Sequence, residues 1–314
     1  MRRPLHLVLG TLLGGVLAVG AAPAATSADE GSSDSRATAV TAPAATTAAA
    51  QDRVASYWTA ARMKAAKPAD TGSRYASDSA PARGTSTKIA DTAAKKPPQQ
   101  PTATASITST TGKVFFSMGG GNYVCSGAAT SSGNRSVVTT AGHCVKDGAG
   151  VWATNWAFVP AYNNGSRPYG TWTARNLVTT SAWANQTDIN YDGGFAIMNA
   201  LNGRYLTDVV GGQGVAFNQA RGLYYNAYGY PAAPPFNGQT LQSCAGYAQN
   251  DIYGGTQSQR IPCNMTGGSS GGPWLTGGLI NSVNSFGYSG VPNQMFGPYF
   301  GTAIQSAYNA AATG

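Results

Sequence analysis

The chain has 314 residues, 42% of them hydrophobic and only 10% charged, with a formal net charge of +8. Residues 1–105 hold 12 Lys/Arg against 7 Asp/Glu, a net +5, and residues 106–314 hold 8 against 5, a net +3. The basic residues of the later part (Lys113, Arg135, Lys146, Arg167, Arg175, Arg204, Arg221 and Arg260) are scattered, which argues against a nucleic-acid partner, because phosphates call for a focused basic patch.

Residues 1–28 are predicted to be a secretory signal peptide. Arg2 and Arg3 supply a positive start and Leu5 to Val19 a short apolar run. Ala22-Pro23-Ala24 or Thr26-Ser27-Ala28 offers small residues for cleavage. The run is short for a bilayer span of about 20 residues and is interrupted by Gly10, Gly14 and Gly15. The expected product is secreted and extracellular, without stable membrane association.

Residues 29–105 read as a pro-segment. They are rich in Ala, Thr, Ser, Pro and Lys, carry few large apolar side chains, and are predicted to be largely disordered. A short helix is possible at 51–66, where Val54, Trp58 and Ala61 would share a face at i, i+4, i+7 spacing. It is either a lone helix in a linker, marginal in water, or a helix that docks on the following domain and inhibits it.

The character changes in 106–314. Short apolar runs such as Val114-Phe115-Phe116, Ser136-Val137-Val138-Thr139 and Phe195-Ala196-Ile197-Met198 alternate with turn residues, as in Asn163-Asn164-Gly165 and Gly211-Gly212-Gln213-Gly214. That pattern predicts an all-β unit. Only Thr302–Ala310 looks helical. The length suits two small barrels sharing a cleft, one over about 110–207 and one over about 212–314.

Cys125, Cys144, Cys244 and Cys263 all lie in this part. An even number in an exported chain points to two disulfides. Of three pairings, Cys125–Cys144 and Cys244–Cys263 is the local solution. A zinc site is the rival, but no pair has CxxC spacing, and no metal or cofactor is expected.

Beyond the leader, His143 is the only histidine. It stands in Thr139-Thr140-Ala141-Gly142-His143-Cys144, and far downstream lies Gly268-Ser269-Ser270-Gly271-Gly272-Pro273. A serine hydroxyl is a weak nucleophile unless a base takes its proton, and histidine is the side chain that does so near neutral pH. The serine block formally matches the G-x-S-x-G elbow of α/β hydrolases. There, however, the histidine follows the serine, and here it precedes it. The order histidine, aspartate, serine is that of the double-barrel proteases.

These two blocks resemble the T-A-A-H-C and G-D-S-G-G-P blocks of trypsin/chymotrypsin-like serine proteases. The region from about Thr108 to Ala311 looks like a bacterial secreted member, of the trypsin-like or glutamyl-endopeptidase-like group. The resemblance implies a chymotrypsin-like double β-barrel with a short C-terminal helix, a monomer that hydrolyses polypeptides. It implies His143 as base, Ser270 as nucleophile, and the N–H groups of Gly268 and Ser270 as oxyanion donors. The third member should be a carboxylate just before a buried strand. Asp192, before Gly193-Gly194-Phe195-Ala196-Ile197, matches best, with Asp188 the alternative.

Two departures bear on activation and specificity. Ser269 stands where trypsins carry the Asp that pairs with a newly freed N-terminus, so a pro-segment here is expected to block the site or assist folding. Asn264, six residues before Ser270, stands where trypsins place the acidic base of the primary pocket, so tryptic specificity is disfavoured. Ser285-Phe286-Gly287 resembles the strand that pairs with substrate backbone and walls that pocket. Asn284 stands where glutamate-specific relatives have His, leaving a medium or broad apolar pocket. Two rival readings are an inactive protease-like binding module and an esterase on the same fold.

Overall fold

The computed structural model describes residues 38–69, 76–78, 80–95 and 106–314; the predicted signal peptide lies outside them. In chain order the early elements are β1 (Ala39–Pro43), α1 (Ala48–Tyr57), α2 (Ala60–Ala65), β2 (Lys67–Pro68) and β3 (Thr87–Ile89). Next come α3 (Ile107–Thr110), β4 (Thr111–Met118), β5 (Gly121–Thr130), β6 (Val137–Thr140), β7 (Thr154–Pro160), β8 (Trp172–Thr180), α4 (Ser181–Gln186) and β9 (Gly194–Met198). The remainder comprises α5 (Leu206–Val210), β10 (Val215–Phe217), β11 (Tyr224–Gly229), β12 (Gln242–Tyr247), β13 (Gln249–Asn250), β14 (Gln259–Pro262), β15 (Pro273–Thr276), β16 (Leu279–Val283), β17 (Gln294–Gly297) and α6 (Thr302–Thr313).

Strands β8-β7-β4-β5-β6-β9 form a closed barrel, the β8–β9 pairing completing the ring. Closure removes the unpaired edges that an open sheet would present. Inside it, Val114, Phe116, Val138, Trp156, Phe158, Trp172 and Phe195 are fully buried. In the second half a six-stranded sheet, β12-β11-β15-β16-β10-β3, accompanies a three-stranded one, β13-β14-β17. Tyr225, Ile261, Trp274 and Met295 from the two sheets share one buried cluster. Helix α6 buries Ile304, Ala307, Tyr308 and Ala311 in the first-barrel core. The all-β architecture with a short C-terminal helix thus matches the expectation.

The expectation of a largely disordered segment before residue 106 fails over the described residues. Strand β1 pairs antiparallel with β8, β2 pairs parallel with β5, and β3 pairs antiparallel with β10. The composition could not build its own core, and it does not need to: β5 pairs with β6 only at Ala128–Thr130 and β8 with β7 only at Trp172–Thr173, so the rest of each strand has a free side, and β10 offers another. The predicted single helix at 51–66 is two helices. Thr59 adopts an extended N-cap conformation and its side chain accepts from Arg62 N–H, which breaks the helix after Trp58. Val54 and Trp58 are buried as the spacing implied, but Ala61 is exposed and Met63 is buried instead. These three cover Phe115, Val124, Ala157, Val159 and Tyr162 on the outside of the first barrel. Trp58 also donates through Nε1 to Asn155 O at 2.5 Å.

Candidate active site

Strand β6 is β-branched throughout, Val137-Val138-Thr139-Thr140, and fully buried. At its end the chain tightens into a 3-10 turn over Gly142–Cys144, which presents His143. Gly142 is required by close approach. A Cβ there would lie 2.8 Å from Trp183 Cδ1 and 2.9 Å from Asp192 Oδ1, closer than real Cβ contacts allow. The adjacent Cys144 is bonded to Cys125 of β5, and the second disulfide joins Cys244 and Cys263. Both follow the local pairing expected from the sequence.

Asp192 follows a second 3-10 turn, Ile189–Tyr191, and precedes β9. It has no solvent exposure. Its Oδ1 accepts from the backbone N–H of His143 at 2.7 Å and its Oδ2 lies 2.8 Å from His143 Nδ1. The Ser285 hydroxyl donates to the same Oδ2 at 2.5 Å. A buried carboxylate needs such donors to remain charged. Asp188, the alternative, is also buried but makes no hydrogen bond to His143. Its Oδ1 caps the turn by accepting from Asn190 N–H and also accepts from Ser77 N–H. Asp147 is exposed, Asp208 pairs with Lys95 and Arg135, and Asp251 accepts from the Tyr288 and Thr256 hydroxyls.

Ser270 sits on the loop between β14 and β15. Gly268 holds φ +95, in the left-handed region that glycine tolerates. The N–H groups of Gly268 and Ser270 donate to no acceptor among the described residues, whereas Ser269, Gly271 and Gly272 donate to Thr266, Asn284 and Ser269 carbonyls. Unengaged backbone donors on one loop are what an oxyanion site needs. Ser269 is buried and its hydroxyl donates to Thr266 O at 2.8 Å, so it braces the loop locally. His143 Nε2 is buried with no hydrogen-bond partner among the described residues, and so remains available to a hydroxyl proton. Catalytic hydrogen bonds commonly tighten only when substrate binds.

Two residues whose part in this loop the sequence did not reveal hold it in place. Ser126 of β5 donates its hydroxyl to Gly268 O at 3.0 Å and accepts from Tyr230 N–H at 2.8 Å, while its backbone N–H donates to Ser270 O at 2.7 Å. One serine therefore joins the first barrel to the serine loop. Asn284 is fully buried behind the loop and donates to Tyr228 O and Ser269 O. Trp274 Nε1 donates to Asn284 Oδ1 at 2.7 Å. Asn284 is therefore a brace and not a pocket wall. No local sequence signal separates these residues from ordinary strand polar residues.

A cleft of about 240 Å³ adjoins Ser270. Ser285, Phe286 and Gly287 line it, together with Met265, Thr266, Gln294 and Met295. Asn264 does not. It is exposed, and alternation along the chain turns Met265 inward instead. Among the described residues none of the lining side chains is charged. A second cleft of about 220 Å³ is lined by His143, Phe116, Met118, Tyr123 and Asp147. Among the described residues, one trio of potential metal ligands lies close together, Cys125, His143 and Cys144. Two of its three members are joined in a disulfide.

No family sequence model matches the chain. An extracellular metalloprotease of Bacillus subtilis (strain 168) is 36% identical over 70 residues, 22% of each chain, so the chain spans about a fifth of that relative's length. Solved structures match far more of it. The protease Anisep from Arthrobacter nicotinovorans is 51% identical, with a TM-score of 0.65, over 73% of this chain and 100% of that one. A thermostable serine protease, AL20, from an extremophilic microorganism is 51% identical, with a TM-score of 0.64, over 66% of this chain and 98% of that one. A Glu endopeptidase, 19% identical with a TM-score of 0.53, shares the fold. Identity of this size over the whole of a solved protease places the chain in the trypsin/chymotrypsin-like serine protease family, as a serine protease acting on polypeptides.

Proposed function

We propose that the chain is a secreted endopeptidase, made as a pro-enzyme, that cleaves through His143, Asp192 and Ser270. The observation that carries this reading is the pair of hydrogen bonds from Asp192 to the backbone N–H and Nδ1 of His143, beside a serine on a glycine-rich loop. His143 takes the hydroxyl proton as Ser270 Oγ attacks the scissile carbonyl. The oxygen of the tetrahedral intermediate receives the N–H groups of Gly268 and Ser270, each worth roughly 3 kcal/mol to the transition state. His143 returns the proton to the leaving amine, and the acyl-enzyme is then released by water. Asp192 fixes the tautomer with the proton on Nδ1 and stabilises the imidazolium.

The uncharged cleft beside Ser270 supports a preference for uncharged residues on the acyl side of the cut. Secretion is supported by the apolar N-terminal run and the two disulfides. No helix among the described residues is long and apolar enough to cross a membrane. The active form is proposed to be a monomer.

The test is digestion of an unbiased peptide library by the secreted enzyme, with and without a serine-directed covalent inhibitor, alongside Ser270→Ala. Inhibitor-sensitive cuts that Ser270→Ala fails to make are expected. Appreciable cutting by Ser270→Ala would refute the assignment.

A further inference from the structure

We propose that Lys146 is a positioning residue for the reaction: its ammonium is a built-in cation that ties the turn after His143 to helix α4, and so holds the imidazole in line with Asp192. The proposal rests on the catalytic reading of His143, Asp192 and Ser270.

Lys146 follows His143 by three residues and is only 7% exposed. It forms no ion pair with a carboxylate among the described residues. A buried ammonium is costly unless its protons are taken up. It has three to donate, and Lys146 Nζ donates to three carbonyls: Gly148 O at 2.5 Å, Gly150 O at 2.7 Å and Ala184 O at 3.0 Å. The Trp152 ring lies 5.8 Å from the same nitrogen, within range of a cation–π attraction. Three carbonyl oxygens converging on one point repel one another unless a positive charge stands between them.

Those carbonyls come from two segments. Gly148 and Gly150 belong to the turn that follows His143. Ala184 belongs to α4, the helix that leads through Thr187 and Asp188 to Asp192. Its carbonyl is one of the last in the helix, where internal partners run out: the N–H groups of Thr187 and Asp188 bond Trp183 O and Ala182 O instead. Lys146 engages α4 a second time through its own carbonyl, which accepts from Trp183 Nε1 at 2.9 Å. Ala149 N–H adds a bond to Thr187 Oγ1 at 3.1 Å.

Trp183 carries the clamp to the imidazole. Its ring centroid lies 6.3 Å from that of His143, at 63°, and its Cδ1 fills the space that a Cβ at Gly142 would need. The bonds from His143 to Asp192 thus join two segments that Lys146 joins at a second place. Without the cation, Gly148 O and Ala184 O are left buried and unpaired. They regain partners only by turning to water, which moves both segments. A shift of about 1 Å at the imidazole is enough to slow turnover on the order of 100-fold.

The test uses the enzyme secreted from the full chain in three forms: native, Lys146→Ala, and Lys146→Met. The methionine fills the same volume without charge or donors, and covers the case in which Lys146→Ala does not fold. The kcat and KM values are measured separately on one peptide substrate, with added n-propylammonium, the part of the side chain that Lys146→Ala removes, or with uncharged n-propanol. Both variants are expected to lose at least tenfold in kcat with KM within threefold. Propylammonium should restore Lys146→Ala at least fivefold and saturably, and should leave Lys146→Met, whose site is filled, unchanged. Propanol should restore neither. The low-field proton resonance of His143 Nδ1–H reads the bond to Asp192 whether or not the enzyme turns over, and should shift in both variants. A native kcat or an unmoved resonance in Lys146→Met would overturn the proposal. So would a folded Lys146→Ala that propylammonium fails to rescue or that propanol rescues equally, since Lys146 would then act by packing. No turnover and no fluorophosphonate labelling of Ser270 in the native enzyme would overturn the catalytic reading instead, and the resonance would still decide the clamp.

Discussion

Asp192→Asn tests the electrostatic core of the site, and its outcome can be worked from the hydrogen bonds. The backbone N–H of His143 donates to Oδ1 at 2.7 Å and cannot become an acceptor. An asparagine at 192 must therefore keep its amide oxygen at the Oδ1 position. Its NH2 group is forced to the Oδ2 position, 2.8 Å from His143 Nδ1. Facing a donor, Nδ1 becomes an acceptor and the imidazole proton moves to Nε2. That tautomer cannot take the proton of Ser270. The Ser285 hydroxyl adapts by rotating to accept, so the fold survives. Turnover should fall about 10⁴-fold, the loss that the corresponding substitution causes in trypsin by imposing the wrong tautomer, equivalent to about 5 kcal/mol of barrier. The assay is kcat/KM on one peptide substrate, normalised by active-site titration. Asp188→Asn is the control: its amide oxygen can still accept from Asn190 and Ser77 N–H, and turnover should stay within tenfold. A loss below tenfold in Asp192→Asn, or a larger loss in Asp188→Asn, would refute the reasoning.

Lys113 is buried, and burial pushes its ammonium pKa down from 10.5 to about 8; its Nζ donates to Gly238 O. Between those values the unfolded chain binds a proton that the folded chain does not, so stability should rise from pH 8 to 10, by up to about 3 kcal/mol if the whole gap were traversed. Urea midpoints should show this rise in the native chain and lose it in Lys113→Met; a flat native profile would disprove it. Ser126→Ala removes the hydroxyl bonded to Gly268 O and leaves the buried Tyr230 N–H without a partner, at a cost of about 1–3 kcal/mol, measured by urea unfolding with retained disulfides. The uncharged cleft predicts that Met265→Asp will introduce cutting after Lys or Arg in the peptide library; an unchanged cleavage profile would show that Met265 does not face the acyl-side residue.

The chain's local chemistry was enough to pick out the two blocks proposed to carry the reaction. His143 is the only histidine after His6, and glycines surround Ser270 because the loop needs a left-handed residue at 268. Alternating short apolar runs and the local cysteine pairing are likewise readable, since strand period and loop closure are properties of neighbouring residues. The choice between Asp192 and Asp188 was not decided locally: the two lie four residues apart in one polar stretch, and only the turn at Ile189–Tyr191 aims one at the imidazole and the other at Asn190. Asn264 and Met265 exchanged places for a similar reason, because a one-residue change of register turns a side chain from the cleft to solvent. Ser126 and Asn284 acquired their roles from partners far away in sequence. The early segment shows the difference most plainly. Its composition established that it could bury no core of its own, but its order comes from pairing with β5, β8 and β10, edges that exist only once the rest of the chain has folded.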